Sequence, residues 1–130
     1  TLPLNILSWK RVPKGYSGGI SLVGTSGGIL GAAIIVSIAV LMGFIEWNLM
    51  LVLLIIIAGF LGSVIDSILG ASIQAKFECE VCGKNTERVN HCHEETKHVS
   101  GILWLDNDWV NVAGSLSGGL IFIAVYFLFL

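Results

Sequence analysis

The chain has 130 residues, of which 55% are apolar and 12% are charged, and its formal net charge is −2. A mean hydropathy of +0.86 excludes an ordinary water-soluble globular domain. The sequence contains no basic patch with interleaved aromatic residues, so we expect no nucleic acid among its partners.

Three long apolar segments predict three transmembrane helices, at residues 20–44, 49–74 and 109–130. Each has about the 20 residues that a helix needs to cross roughly 30 Å of hydrocarbon. The first begins after 19 mixed residues and is too long for the apolar region of a signal peptide. The chain starts at Thr1 without an initiator methionine. We therefore expect a processed product, a trimmed chain or part of a longer polypeptide.

The basic residues predict the orientation of the chain in the membrane. All seven Lys and Arg residues lie either in the lead, residues 1–19, or in the loop, residues 75–108, whereas the link between the first two segments carries only Glu46. Cytoplasmic segments are enriched in Lys and Arg. We therefore expect the lead and the loop to be cytoplasmic and Leu130 to end near the opposite face of a cell or organelle membrane.

The second apolar segment contains a polar face centred on Asp66. At helical spacing Ser63, Ser67 and Gln74 share this face. An Asp inside a bilayer costs about 2.5–3.5 kcal/mol on insertion scales, so such residues usually face a bundle interior or a wet cavity. We predict a catalytic role for Asp66 and binding roles for the other three residues; the alternative is that Asp66 is a structural anchor at the interface.

Small residues recur in the first and third segments at the spacing of one helical turn. They are Gly24, Gly27, Gly28 and Gly31 in the first, and Gly114, Ser115, Gly118 and Gly119 in the third. This pattern predicts close packing between helices, because lipid provides no hydrophobic drive for pairing.

All cysteines and histidines of the chain lie in the loop. Cys79 and Cys82 have the Cys-x-x-Cys spacing of a zinc knuckle, and His91 and Cys92 complete four potential ligands. We predict a small structural zinc site, because sites closed by four protein ligands are structural rather than catalytic. The alternatives are a redox pair or unmetallated thiols, and a disulfide is less compatible with a cytoplasmic loop.

A second group of polar residues precedes the third segment. Asp106 and Asp108, with Asn107 and Asn111, provide the hard oxygen ligands that hold Mg²⁺ against phosphate groups. The alternative, compatible with such a site, is that one of Asp106, Asn107 and Asp108 caps the third helix.

The end of the lead is rich in glycine and could bind an anion. Gly18 and Gly19 directly precede the first apolar segment, and Arg11 and Lys14 lie nearby. Backbone N–H groups at a helix start attract anions. The spacing of a P-loop is absent.

Four motifs together resemble one known family: the glycine-rich run 15–22, the segment 62–74, the Cys/His knuckle, and the segment 104–111. This is the integral membrane family numbered ninety-two among domains of unknown function, which includes transmembrane protein nineteen of animals and the phytyl-phosphate kinase of plants and cyanobacteria. The resemblance covers nearly the whole chain. It implies an all-α membrane protein of about six helices, of which this chain is similar to the C-terminal half.

The resemblance also implies an activity. The characterised branch uses CTP to phosphorylate an isoprenoid monophosphate, so we expect a membrane-bound prenyl-phosphate kinase with Mg²⁺ and a nucleotide at Asp66, Asp106 and Asp108. Its partners would be the lipid bilayer, a prenyl-phosphate lipid, and a missing N-terminal half or another helix bundle. The alternatives are a transporter of a polar or phosphorylated solute and a non-catalytic assembly subunit.

Overall fold

The computed structural model describes residues 2–129; Thr1 and Leu130, the predicted ends of the lead and of the third segment, lie outside the described residues. It contains three helices: α1 (Leu22–Leu41), α2 (Leu49–Ser72) and α3 (Asn107–Phe129). All three are long and apolar enough to cross a membrane. The predicted fold class, a helical membrane protein with three spanning helices and a Cys/His loop, is therefore confirmed.

A polar side chain caps the start of each helix. Ser21 Oγ accepts a hydrogen bond from a backbone N–H of α1 at 3.1 Å, and Asn48 Oδ1 accepts two from α2, the shorter at 2.9 Å. Asp106 Oδ1 accepts from the N–H groups of Asp108 and Trp109 at 3.0 and 3.1 Å. Such caps satisfy N–H groups that have no partner within the helix. Asp106 is therefore the residue that caps α3.

The described chain divides into two compact units. One, the membrane unit, contains Ser21–Ile65 and the chain from Ala113 onward. In it Gly62 of α2 faces α3, and a methyl group added there would lie 2.8 Å from the Gly114 carbonyl oxygen and 3.1 Å from Gly118 Cα. The two helix backbones therefore approach closely through glycines, as the small residues of the third segment predict.

The other unit, the loop unit, contains the chain up to Ile20 and Asp66–Val112. It is built from seven short strands. Strands β1 (Leu4–Asn5) and β2 (Gly19–Ile20) form an antiparallel pair within the lead. Strand β3 (Lys76–Glu78) lies between β4 (Asn85–Thr86) and β7 (Lys97–Ser100), and β5 (Asn90–His91) pairs with β6 (Glu94–Glu95).

The core of the loop unit follows the alternation of a strand. Ala75, Phe77 and Cys79 are 2%, 7% and 1% exposed, whereas the residues between them are more exposed. Successive side chains of a strand point to opposite faces, so these three point into the same core. The Ala75 N–H donates to the Leu105 carbonyl at 2.9 Å, which ties the start of β3 to the segment before α3. The strand therefore places the Cys79 thiol inside the loop unit.

Candidate functional site

The first half of the Cys/His group is a tight turn directly after β3. The Gly83 N–H donates to the Cys79 carbonyl at 2.7 Å, and the Cys79 N–H donates to the Lys84 carbonyl at 2.9 Å. Gly83 has a φ of +66°, a conformation that costs glycine little because it has no Cβ. The turn brings Cys82 back towards Cys79, which is how a Cys-x-x-Cys knuckle presents two thiols to one ion.

The second half is the hairpin between β5 and β6. His91 ends β5, and the two turn residues, Cys92 and His93, have φ values of +55° and +65°. Non-glycine residues rarely adopt this conformation. The strained turn directs Cys92 to the same place as His91, whose Nδ1 lies 3.2 Å from Cys92 Sγ and 3.5 Å from Cys82 Sγ.

The structure thus brings together Cys79, Cys82, His91 and Cys92, and their ligand atoms all lie within 4.8 Å of one another. Ligand atoms of a tetrahedral zinc site are about 3.3–3.8 Å apart, as follows from Zn–S and Zn–N bonds of about 2.3 and 2.0–2.1 Å. A small contraction would therefore produce that geometry. Three sulfur donors and one imidazole are a set that suits zinc and not Mg²⁺.

The thiols of this group differ in acidity. A hydrogen bond from the Cys82 backbone N–H lowers the pKa of Cys79 to about 6, although burial acts in the opposite direction. A hydrogen bond with the Cys82 thiol raises the pKa of Cys92 to about 11, and burial and the charges of the other two thiols add to this. Cys79 is therefore the more acidic of these two thiols, and the crowded group resists further ionisation without a cation.

The other two histidines of the loop do not belong to the group. His93 is exposed in the hairpin turn. His98 packs edge-on against Phe77, with ring centroids 5.5 Å apart, and its buried Nε2 has no hydrogen-bond partner among the described residues.

A second feature of the loop unit is a polar cleft of about 470 Å³. It lies where the lead, the start of β3, the segment 85–88 and the start of α3 meet. Three cationic side chains and one carboxylate contribute to its walls. The lining residues are Pro13, Lys14, Gly15, Tyr16, Lys76, Asn85, Thr86, Glu87, Arg88 and Asn107.

Two residues tie the walls of this cleft together. Lys76 Nζ donates to the Ala71 carbonyl at 2.8 Å, near the end of α2, and lies over the Tyr16 ring. Burial lowers the pKa of Lys76, and the nearby Glu87 carboxylate partly offsets this effect. Glu87 Oε1 in turn accepts hydrogen bonds from the N–H and the hydroxyl of Ser17 in the lead.

The predicted anion-binding residues of the lead are placed in different ways. Lys14 lines the cleft, whereas Arg11 is exposed and is not among the lining residues. Gly18 is buried against Ala71, which leaves no room for a Cβ. The Gly19 N–H donates to the Tyr16 carbonyl at 3.0 Å, so this amide is already used within the lead.

The polar residues predicted on α2 are spread over its second half. Asp66 and Ser67 are half-buried, and Ser63 is exposed with its hydroxyl donating to the Phe60 carbonyl at 2.9 Å. Gln74 lies two residues beyond the end of α2, where it forms a parallel bridge with Ile102.

The predicted metal residues near α3 are on its first turns. Asp106 caps the helix, Asn107 lines the cleft, and Asp108 and Asn111 are exposed. Within residues 2–129, Asp66, Asp106 and Asp108 do not form a set of ligand atoms within reach of one ion, in contrast to the Cys/His group. Their shared Mg²⁺ site stays a prediction.

Lys76, Glu87 and Arg88 line the cleft and Ser17 bonds to Glu87, although none of them is among the predicted site residues. Their roles depend on contacts between segments up to 70 positions apart. Two features of the sequence could have pointed to these residues. Lys76 directly follows a predicted span, and residues 85–88 lie between the two halves of the Cys/His group.

The fold and these sites define a multi-pass integral membrane protein whose lead and loop carry a Cys/His group and a basic cleft. The chain belongs to the family described as integral membrane protein DUF92, whose profile matches residues 1–119. Among its curated relatives is Protein PGR of Arabidopsis thaliana, 31% identical over 123 residues. The match covers 88% of this chain and 42% of that protein, so this chain spans less than half of its relative's length. No solved structure matches the chain significantly.

Proposed function

We propose that this chain forms part of a membrane-bound kinase that transfers a phosphoryl group from a nucleoside triphosphate such as CTP to an isoprenoid monophosphate. The observation that carries the proposal is the basic cleft next to the ends of α2 and α3. Phosphoryl transfer requires mainly positioning and compensation of negative charge, which a cleft lined by cations can provide.

The charges of the cleft support a phosphate-bearing ligand. Lys14, Lys76 and Arg88 provide three cations, against the single carboxylate of Glu87. Arg can bind phosphate in a bidentate manner, and Lys acts as a compact charge. The cleft volume of about 470 Å³ lies within the range of about 300–1,000 Å³ that is typical of ligand pockets.

The position of the cleft supports a lipid-linked substrate. Lys76 lies four residues beyond α2, and Asn107 is the first residue of α3. A substrate phosphate in the cleft would therefore be close to the ends of two spanning helices. Its prenyl chain could remain in the hydrocarbon, because apolar side chains dominate the surfaces of these helices.

We propose that Mg²⁺ arrives with the nucleotide and that Asp66, Asp108 and the amides of Asn107 and Asn111 supply oxygen ligands or orient bound phosphates. Since these carboxylates do not form one ligand set in this chain, the proposal includes further helices, in a longer protein or a second bundle. The greater length of Protein PGR is compatible with this.

We further propose that the loop unit is cytoplasmic and that the Cys/His group binds one structural zinc ion. The distribution of Lys and Arg supports the orientation, and three thiols and an imidazole within 4.8 Å support zinc. The segment 85–88, which lines the cleft, lies between the two ligand pairs in sequence. A bound ion would therefore hold one wall of the cleft in place.

The test is an assay of the full-length protein in lipid nanodiscs with γ-labelled CTP and phytyl or geranylgeranyl monophosphate. We expect labelled prenyl diphosphate, and we expect the double variant Lys14→Met/Arg88→Met to lose most of this product. Lys97→Met, an exposed lysine outside the cleft, is the matched control. Absence of labelled diphosphate with either substrate would contradict the kinase, and movement of an unmodified phosphate across proteoliposomes would favour a transporter.

A further inference from the structure

We propose that the Glu87 carboxylate occupies the place of a ligand's phosphate oxygen at Ser17, and that a phosphate group binding in the cleft displaces it. The inference rests on the proposed function, since the ligand is the phosphate-bearing substrate of the same cleft. It adds a binding residue, Ser17, and a competing carboxylate within the protein.

The geometry at Ser17 is that of an anion site. One carboxylate oxygen, Glu87 Oε1, accepts a hydrogen bond from the Ser17 N–H at 2.9 Å and another from the Ser17 hydroxyl. A backbone N–H and a side-chain hydroxyl of one residue converging on an oxygen anion are also a common arrangement for binding phosphate. Ser17 belongs to the glycine-rich run, so the carboxylate satisfies an anion-binding turn of the lead.

The surroundings of Glu87 favour a more highly charged anion than a carboxylate. Glu87 shares the cleft with Lys14, Lys76 and Arg88, and these three cations exceed its single negative charge. A phosphate monoester or a diphosphate would compensate more of this positive charge. The phosphate and the carboxylate repel each other, so both cannot occupy the Ser17 donors at full charge.

Ser17 remains oriented if the carboxylate leaves. Its Oγ also donates to Gln74 Oε1 at 2.8 Å, and Gln74 is only 1% exposed. One hydroxyl proton is thus shared between two acceptors, the amide oxygen of the buried Gln74 and the carboxylate of the less buried Glu87. When Glu87 moves away, Gln74 holds the hydroxyl and the Ser17 N–H is available to an incoming oxygen.

Binding of inorganic pyrophosphate and of CTP to the full-length protein in detergent, measured by isothermal titration calorimetry, tests this inference. Glu87→Gln removes the charge but keeps the shape and an oxygen that can accept from Ser17. We expect it to bind pyrophosphate more tightly, on the order of tenfold, because a like charge a few ångströms away is removed. Glu80→Gln, an exposed carboxylate of the loop outside the cleft, should leave affinity unchanged. Ser17→Ala should weaken binding.

Unchanged or weaker binding by Glu87→Gln, with measurable binding by the wild type, overturns the inference and leaves the kinase proposal intact. If neither the wild type nor Glu87→Gln binds pyrophosphate or CTP, the cleft is not a phosphate site, and both the kinase proposal and this inference are wrong.

If Glu87→Gln does not fold, the ¹³C carboxyl resonance of Glu87 in the wild type tests whether a phosphate displaces this carboxylate. It should move on addition of pyrophosphate while that of Glu80 does not, and an unmoved Glu87 resonance overturns the inference.

Discussion

The ammonium group of Lys76 lies 5.2 Å from the centre of the Tyr16 ring, so a lysine just after α2 rests on an aromatic side chain of the lead. The same ammonium group donates to the carbonyl of Ala71 in the last turn of α2. The helix dipole stabilises a cation near the C-terminus of a helix, and an aromatic face stabilises it by a cation–π interaction. Lys76 therefore joins the end of a membrane helix to the lead at the edge of the cleft.

Replacing Lys76 tests this connection. Lys76→Met should lower the free energy of unfolding by about 1 kcal/mol through loss of the helix-end and aromatic contacts. It should also weaken CTP binding severalfold, because one of three cations leaves the cleft. Thermal unfolding in detergent and calorimetry measure the two effects. Lys84→Met, at an exposed position outside the cleft, is the control; an equal loss in both variants would contradict a specific role of Lys76.

The purified protein should contain one zinc ion per chain, measured by elemental analysis after expression in zinc-replete cells. Cys82→Ser should lose the ion, because it removes one of four ligands, and should make residues 79–92 more sensitive to proteolysis. His93→Ala should retain zinc, since His93 is outside the ligand group. A zinc-free wild type, or equal zinc in both variants, would count against the site.

Asp66→Asn should abolish kinase turnover in the full-length protein, while membrane insertion and the unfolding temperature stay unchanged. The substitution removes a charge with hardly any change of shape, and loss of a metal or phosphate contact affects turnover more than folding. Product formation and thermal unfolding are the measurements. Glu46→Gln, in the link between α1 and α2, serves as the control; normal turnover of Asp66→Asn would defeat the shared magnesium site.

Gly62→Ala should destabilise the protein by about 1–3 kcal/mol, as overpacking does in other tightly packed interiors. The added methyl group would lie 2.8 Å from a backbone oxygen of α3, and neither backbone can move aside cheaply. Gly27→Ala is the matched helical control, because among the described residues no atom beyond its chain neighbours and the nearby backbone of its own helix lies within 4 Å of the Cβ it would add. Equal unfolding temperatures of the two variants would refute close α2–α3 packing.

The loop should be cytoplasmic, because it and the lead contain all seven Lys and Arg residues. An impermeant thiol reagent added outside right-side-out vesicles should leave Cys82 unmodified, and detergent should make it reactive. Metal chelation before labelling is needed, since a zinc-bound thiolate is protected. Modification of Cys82 in intact vesicles would reverse the orientation.

Hydropathy and ligand spacing predict much of this structure because both are short-range properties. The three spans follow from uncharged segments, and the convergence of Cys79, Cys82, His91 and Cys92 follows from two tight turns. Strands of two to four residues are too short for an alternating pattern, so β1 to β7 give no comparable signal.

The cleft could not be predicted in the same way. One of its wall residues, Glu87, bonds to Ser17 across 70 positions, and this contact forms only when the lead packs beside the loop. An amide that looks free in the sequence can also be used locally, as at Gly19, whose N–H is bonded within the lead. Patterns in one sequence reveal neither a long-range hydrogen bond such as that between Ser17 and Glu87 nor the local bonding of a single amide.

The length of α2 has a consequence for the proposed route of a substrate into the cleft. Its 24 residues rise about 36 Å, roughly one helical turn more than the 30 Å hydrocarbon layer. If α2 stands nearly upright, its last turn and Lys76 lie among the lipid headgroups rather than in open water. A lipid-anchored phosphate would then arrive by lateral diffusion in the plane of the membrane, a two-dimensional search, whereas a nucleotide would arrive from solution. On the proposed function, the lipid and the nucleotide would therefore reach the cleft by different routes, one within the membrane plane and one from solution.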